Sequence, residues 1–354
     1  MKLLPIHRET TNVLERKLYF MINKEYKAMI VSEQENNSYV RKIVNKNISS
    51  LPDGEVLINV KYSSLNYKDA LSATGNKGVT RNYPHTPGID AAGIVVESIN
   101  ENYKVGDNVL VTGYDLGMNT SGGYGQYIKV PAHWVVKLPE NLSLKESMIY
   151  GTAGFTAALS VHKLIQAGIK SSDGEILVTG ATGGVGSIAV SILNKLGYNV
   201  IAATGKSEPK DMLLEMGAKD VILCEELDDK SGRTLVKGRW AGVIDTVGGN
   251  ILATVLKSTK YGGSVTCCGN VASPELLTTV YPFILRGISL LGVDSVQCSR
   301  ELRLKIWNLL ANEWKPDNLT LNFQEVNLSD LDSKIQMILE GKLMGRTIVN
   351  LDLE

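Results

Sequence analysis

The stretch Ile176-Leu-Val-Thr-Gly-Ala-Thr-Gly-Gly-Val-Gly-Ser187 decides the fold. Its first four residues read as a strand, glycines follow at 180, 183, 184 and 186, and Ile188 to Leu196 reads as a helix. A strand that turns sharply into a helix needs residues without a Cβ where backbone amides approach a pyrophosphate, and the helix N-terminus then faces the negative charge. Gly180, Gly183, Gly184 and Gly186 are therefore candidate dinucleotide contacts in a G-x-x-G-x-x-G variant of the fingerprint.

Downstream the pattern alternates. Strands are predicted at Val200–Ala203, Val221–Cys224, Gly242–Asp245, Gly263–Cys268 and Leu290–Val293, with helices at Lys210–Met216 and Ile251–Ser258. This is the rhythm of a parallel, doubly wound sheet. Upstream, residues 27–140 are β-rich. Val56–Val60, Ala92–Glu97 and Asp107–Thr112 read as strands, and Gly and Pro punctuate between them, as in a small barrel-like domain. Ser143 and Glu146 fit a capping box that opens a helix. The tail carries helical patterns around Arg300–Ala311 and Leu328–Leu339, then a strand, Thr347–Leu351, expected to return to the first domain. The fold class is α/β: residues 1–25 an extension outside the fold, 26–150 a β-rich domain, 151–293 a Rossmann domain, and 294–354 a returning segment. Met21 is an alternative start.

Composition bounds the function. The chain has 354 residues, enough for about two domains. Hydrophobic residues at 44% and charged residues at 21% exclude a disordered chain. Lys plus Arg and Asp plus Glu are 37 each, so no basic field exists to hold nucleic acid. No apolar run reaches the ~18 residues of a membrane span. Four cysteines in a chain this long are no disulfide framework and fit a reducing cytoplasm. The histidines (7, 85, 133, 162) and cysteines (224, 267, 268, 298) have no zinc-site spacing, so no metal is expected.

The end of the second Rossmann strand selects the cofactor. An acid there would bond a ribose 2′-OH. This chain has Thr204-Gly205-Lys206 instead, a hydroxyl, an open backbone and a positive charge, which suit the 2′-phosphate of NADPH. The alternative for Lys206 is a solvated loop lysine.

Pro87-Gly-Ile-Asp-Ala-Ala-Gly93 stands where zinc-dependent alcohol dehydrogenases carry G-H-E-x-x-G, with Ile89 in place of the ligand His and Asp90 in place of Glu. Further motifs are Ser63-Ser-Leu-Asn-Tyr-Lys-Asp-Ala-Leu71, Arg81-Asn-Tyr-Pro84, Ile149-Tyr-Gly-Thr-Ala-Gly-Phe-Thr-Ala157, Trp240-Ala-Gly-Val-Ile-Asp-Thr-Val-Gly-Gly249, Pro282-Phe-Ile-Leu-Arg-Gly287 and Gly292-Val-Asp-Ser-Val296. From about Lys27 onward the chain closely resembles the acrylyl-CoA reductase/YhdH-type quinone oxidoreductase family of the medium-chain dehydrogenase/reductase superfamily. The resemblance implies a GroES-like catalytic domain and no zinc. It implies that Tyr67 lies beside the nicotinamide, that Thr182, Gly183, Gly184 and Val185 hold the pyrophosphate, and that Thr204, Gly205 and Lys206 hold the 2′-phosphate. Asn270, Ile284, Ser295 and Lys342 are the later cofactor contacts it implies. The family commonly has Arg where this chain has Cys224, which would loosen the hold on NADPH and leave more of it to Lys206.

Hydride transfer to an activated C=C bond makes an enolate, and the protein must orient the reactants and stabilise the oxyanion. Asn66, Tyr67 and Asp69 are the candidate catalytic residues. Tyr67 can donate a hydrogen bond or proton, or be an ordinary packed aromatic. Asn66 can bond a carbonyl or ribose. Asp69 can orient them, although an acid here more often caps the helix from Ala70. Arg81 and Arg286 could meet the phosphates of a CoA thioester or form surface ion pairs. The reading is an NADPH-dependent, zinc-independent reductase of a small acceptor, with acrylyl-CoA favoured. A quinone reductase is the alternative, and a noncatalytic NADPH-binding redox sensor is the alternative of a different class. The apolar segment Tyr281–Leu291 predicts a homodimer.

Overall fold

The structure is a computed structural model and describes residues 24–205 and 209–353. Of the expected N-terminal extension only Lys24 and Glu25 are among them, and Lys206 lies outside them. In the first domain β1 (Glu25–Glu33) and β2 (Tyr39–Asn47) form an antiparallel pair. Then come β3 (Val56–Ser64), α1 (Tyr67–Ala73), β4 (Asp90–Ser98), β5 (Asn108–Thr112), β6 (Tyr127–Val130) and β7 (Val136–Lys137). The long α2 (Leu144–Gln166) is opened by the expected box: Glu146 N donates to Ser143 Oγ at 3.1 Å, and Ser143 N donates back to Glu146 at 2.9 Å.

The second domain alternates as the sequence predicts. It runs β8 (Glu175–Thr179), α3 (Gly184–Lys195), β9 (Asn199–Thr204), α4 (Lys210–Glu215), β10 (Asp220–Leu223), β11 (Trp240–Asp245), α5 (Gly249–Ser258), β12 (Thr259–Cys267), α6 (Tyr281–Arg286) and β13 (Ser289–Gly292). The strands pair in parallel in the order β10-β9-β8-β11-β12-β13, a Rossmann sheet in which β8 is central. Leu177, Val178, Val243, Ile244 and Val265 are fully buried, as strands covered on both faces require.

The chain then returns through α7 (Arg300–Ala311), β14 (Phe323–Val326), α8 (Leu331–Leu339) and β15 (Arg346–Asn350). β15 pairs antiparallel with β3, Ile348 opposite Ser64, and so completes the sheet β14-β15-β3-β4-β5-β7 of the first domain. The joint between the domains is packed by aromatics. Trp307 on α7 is fully buried and stacks on Phe155 of α2, with ring centroids 5.7 Å apart. Removing a ring so enclosed costs about 3–5 kcal/mol. No helix among the described residues is long and apolar enough to cross a membrane.

Candidate functional site

The glycine turn faces the first domain across α2. Gly180 has φ +60°, and a Cβ there would meet the Thr246 hydroxyl at 2.3 Å. A Cβ on Gly186 would lie 2.3 Å from the Gly180 carbonyl oxygen, so α3 can pack this close to β8 only without one. Gly183 is the N-cap of α3 and supplies no side-chain cap, which leaves the first-turn amides of Gly184, Val185 and Gly186 for an anion. The Thr182 carbonyl accepts Gly345 N at 2.9 Å, which ties the turn to the returning segment.

β9 ends at Thr204, and the exposed Gly205 follows with open space where a Cβ would stand. Neither Thr204 nor Gly205, the described residues at this end, is an acid. Cys224 begins the short turn after β10, beside the Gly180 backbone; burial pushes its thiol up. An uncapped helix start, glycines where a Cβ would intrude and a described strand end of Thr204 and Gly205 are a fit for a 2′-phosphorylated dinucleotide.

Arg346 links the start of α3 to the N-terminus of α1. Tyr67, its first residue, is 44% exposed. Asn66 precedes it as N-cap and is buried, with its amide turned inward. Nδ2 donates to Asp90 at 2.7 Å and to Asp69 at 3.2 Å, while Oδ1 accepts Arg346 Nη1 at 3.3 Å. The side chain thus spends its donors and acceptor on the protein. Asp69 is fully buried and accepts Asn66 N and Ile89 N, both at 2.8 Å. Burial, and then the neighbouring Asp90, raise its carboxyl to about 7. Asp90 is also fully buried and accepts the Ser64 hydroxyl at 2.5 Å, Thr152 N at 2.9 Å and the Thr152 hydroxyl at 2.6 Å.

Arg346, from β15, closes this network. Its Nε donates to the Ile149 carbonyl at 2.9 Å and its Nη1 to that of Leu65 at 3.1 Å, while Nη2 lies 3.9 Å from Asp90. A Cβ on Gly184 would sit 3.1 Å from Arg346 Nη1, so the arginine reaches from the first domain to the start of α3. Gly151, at φ +51° inside α2, leaves room for it: a Cβ there would meet Asp90 and Ser64 oxygens at 2.5 Å. Sequence reasoning missed Arg346. The available sign was a lone charge in the otherwise apolar run Arg346-Thr-Ile-Val.

The remaining candidates spread out. Asn270 follows β12 and lines a cavity of about 810 Å³ with Val293, Asp294 and Cys298. Ser295 is in the loop that begins there. Lys342 is exposed, pairs with Glu340 at 2.7 Å and precedes Gly345 by three residues. Ile284 stands 66% exposed on α6, among exposed Val280 and Leu285. Arg286 is corrected: its guanidinium donates to the carbonyls of Val236, Lys257 and Thr259, so a structural role absorbs it and no CoA phosphate is needed to explain it. Ile89, which stands where zinc-dependent alcohol dehydrogenases carry a ligand His, is buried, and among the described residues no three His, Cys, Asp or Glu side chains could hold a metal ion.

The alcohol dehydrogenase GroES-like domain matches residues 52–140, and the zinc-binding dehydrogenase domain matches residues 184–312. Fold and site together define a medium-chain dehydrogenase/reductase, an oxidoreductase class. Among relatives, Bacillus subtilis YhfP, a quinone oxidoreductase by name, is 49% identical over 302 residues, 85% of this chain and 92% of its own. Its structure with NAD bound covers 93% of this chain and 100% of its own, with TM-score 0.90 and 45% identity. Acrylyl-CoA reductase AcuI of Ruegeria pomeroyi is 42% identical, covering 92% of this chain and 99% of its own. The structure of Escherichia coli YhdH with NADPH bound is 42% identical with TM-score 0.89, over 92% of this chain and 100% of its own. The chain belongs to the YhdH-type family of the medium-chain dehydrogenase/reductase superfamily.

Proposed function

We propose that this oxidoreductase uses NADPH to reduce an activated carbon–carbon double bond, with acrylyl-CoA or a similar short enoyl thioester as acceptor, and that it does so without zinc. The observation that carries the reading is the exposed Tyr67 at the head of α1, on a wall braced through Arg346 to the start of α3. Relatives that carry NADP or NADPH, and one that reduces acrylyl-CoA by name, support it. When bound, NADPH supplies the hydride.

The chain's own residues do the rest. Thr182, Gly183, Gly184 and Val185 would hold the pyrophosphate, and Thr204, Gly205 and Lys206 the 2′-phosphate. Asn270 and Ser295 stand toward the nicotinamide end. The Tyr67 hydroxyl is the group free to hydrogen-bond the acceptor carbonyl as charge develops on its oxygen. Asn66 and Asp69 act behind it: the Asp69 carboxylate holds Asn66 N, which fixes the first turn of α1.

The name of Bacillus subtilis YhfP favours a quinone as the second reading. Loss of NADPH absorbance with acrylyl-CoA, crotonyl-CoA and a series of quinones separates the two. Fast turnover of quinones and none of either thioester would overturn the first reading, and no turnover with any acceptor would overturn both.

A further inference from the structure

Arg303, on α7, is fully buried. An unpaired buried charge is costly, so a guanidinium in this position ordinarily faces a carboxylate. Arg303 pairs with none among the described residues; its partners are neutral oxygens. Nη1 donates to Thr112 O at 2.8 Å and Thr112 Oγ1 at 3.0 Å. Nη2 donates to Ser295 O at 2.9 Å and Val296 O at 3.1 Å. The guanidinium carbon lies 4.6 Å from the Tyr114 ring centroid and 4.9 Å from that of Phe155, and Nε has no partner.

The two sets of oxygens belong to different domains. Thr112 ends β5 in the catalytic domain, and Ser295 and Val296 follow β13 at the edge of the nucleotide sheet. The loops touch directly: Tyr114 N donates to Val296 O at 3.4 Å, and a Cβ on Gly113 would lie 3.2 Å from Ser295 O. Asp294 shapes the second loop by accepting Val296 N at 2.8 Å and Gln297 N at 3.3 Å. Carbonyl acceptors do not titrate, so this clamp keeps its partners at every working pH.

Its place in the sheet gives it a role. Ligands of doubly wound sheets lie beyond the carboxyl ends of the strands, and the adenosine ribose is read at the end of the second strand. The glycine turn follows β8, and that second strand is β9. The other half of a dinucleotide therefore lies over β11, β12 and β13, where the cavity lined by Asn270, Val293 and Asp294 opens.

We propose that Arg303 is a positioning residue, which holds the Ser295–Val296 loop against the end of β5 and so sets the wall that receives the reactive half of the cofactor. The inference rests on the NADPH reading above. The test uses the full chain with Arg303→Met and Arg303→Lys, and compares NADPH, followed by its fluorescence, with adenosine 2′,5′-bisphosphate, which occupies only the adenosine half. Arg303→Met should weaken NADPH by about tenfold or more, because the Ser295–Val296 loop it holds moves away from the reactive half of the cofactor. It should lower turnover at saturating NADPH and leave the bisphosphate within about twofold of wild type. Arg303→Lys, with the charge but not the fork, should fall between. Should Arg303→Met not fold, Arg303→Lys decides alone: NADPH weakened with the bisphosphate unchanged supports the role. Parallel loss of both ligands, or loss of neither, overturns it. Failure of the cofactor reading would show already in the wild-type chain, as no binding of NADPH; failure of this proposal would show only in the variants.

Discussion

Asn66 gives its side-chain amide to the buried carboxylate of Asp90, Nδ2 to Oδ2, at 2.7 Å. The residue one position before the exposed Tyr67 is therefore anchored in a polar network that it cannot leave without taking a donor from two buried carboxyl groups, Asp69 and Asp90. This separates the two neighbours: Tyr67 is exposed, and Asn66 holds the backbone from which it projects.

Tyr67→Phe keeps the ring and breaks nothing buried. Its melting temperature should stay at the wild-type value while turnover with acrylyl-CoA falls by about 10²–10³, the effect of deleting one oxyanion donor. Wild-type turnover in the variant would leave Tyr67 as a packing residue. Asn66→Ala should lose turnover and also about 1–3 kcal/mol of stability, because Asp69 and Asp90 each lose a donor. Chemical denaturation of the two variants side by side measures that contrast.

The raised carboxyl of Asp69 gives stability a pH dependence of definite sign. Its folded value of about 7 lies above the ordinary 3.8, so the folded state binds this proton more tightly than the unfolded chain does. The contribution is fully present below the ordinary value, is lost as pH rises toward 7, and is constant above it. In Asp69→Asn that slope disappears. Urea midpoints of wild type minus variant should therefore decline from pH 5 to pH 7 and flatten beyond; a flat difference throughout would refute the assignment.

Lys206→Ala tests the 2′-phosphate reading. Loss of one charge-assisted contact is worth about 1.5–3 kcal/mol, roughly tenfold to a hundredfold in the KM for NADPH. The KM for NADH should hardly change. Equal effects on the two cofactors would mean that Lys206 is a solvated loop lysine.

Activity should survive prolonged treatment with a zinc chelator, since Ile89 offers no ligand where the dehydrogenase pattern has one. Stoichiometric zinc that leaves together with activity would contradict this.

Leu277, Ile284 and Leu285 are 84%, 66% and 57% exposed near β13, the edge strand of the nucleotide sheet. We propose that a second copy covers this face, as exposed apolar area beside an unpaired edge invites. Light scattering should give twice the chain mass, and Leu285→Asp should reduce it to one. A wild-type monomer at micromolar concentration would end the proposal.

Much of the nucleotide domain was legible, because its signals are local. The helix Arg300–Ala311 falls where its periodicity places it, and the strand at 176–179 gains only Glu175. The helix after the glycine turn begins at Gly184, four residues before the apolar run, because glycine hides helical periodicity while still permitting the turn. β2 was not read: its inner and outer faces are both largely solvated, which erases alternation. Arg346 and Arg303 were invisible for another reason. Their partners Leu65 and Thr112 lie 281 and 191 residues away, and no spacing rule spans such distances.

The pairing of β15 with β3 also sets an order of events in the making of the protein. Ribosomes add residues from the N-terminus, and domains generally fold as their last strand emerges. The sheet of the first domain begins first but finishes last, because Ile348 must reach Ser64. Until then the Tyr62–Ser64 end of β3 has an open edge, the rest being covered by β6, and Asp90 has no Arg346 near it, while the sheet from β8 to β13 already has all its strands. The nucleotide domain should thus mature ahead of the domain that precedes it. A chain that stops before Arg346 should show this under limited proteolysis, with residues 175–292 protected and the β-rich half cut. Equal protection of both halves would show that the first domain closes without its final strand.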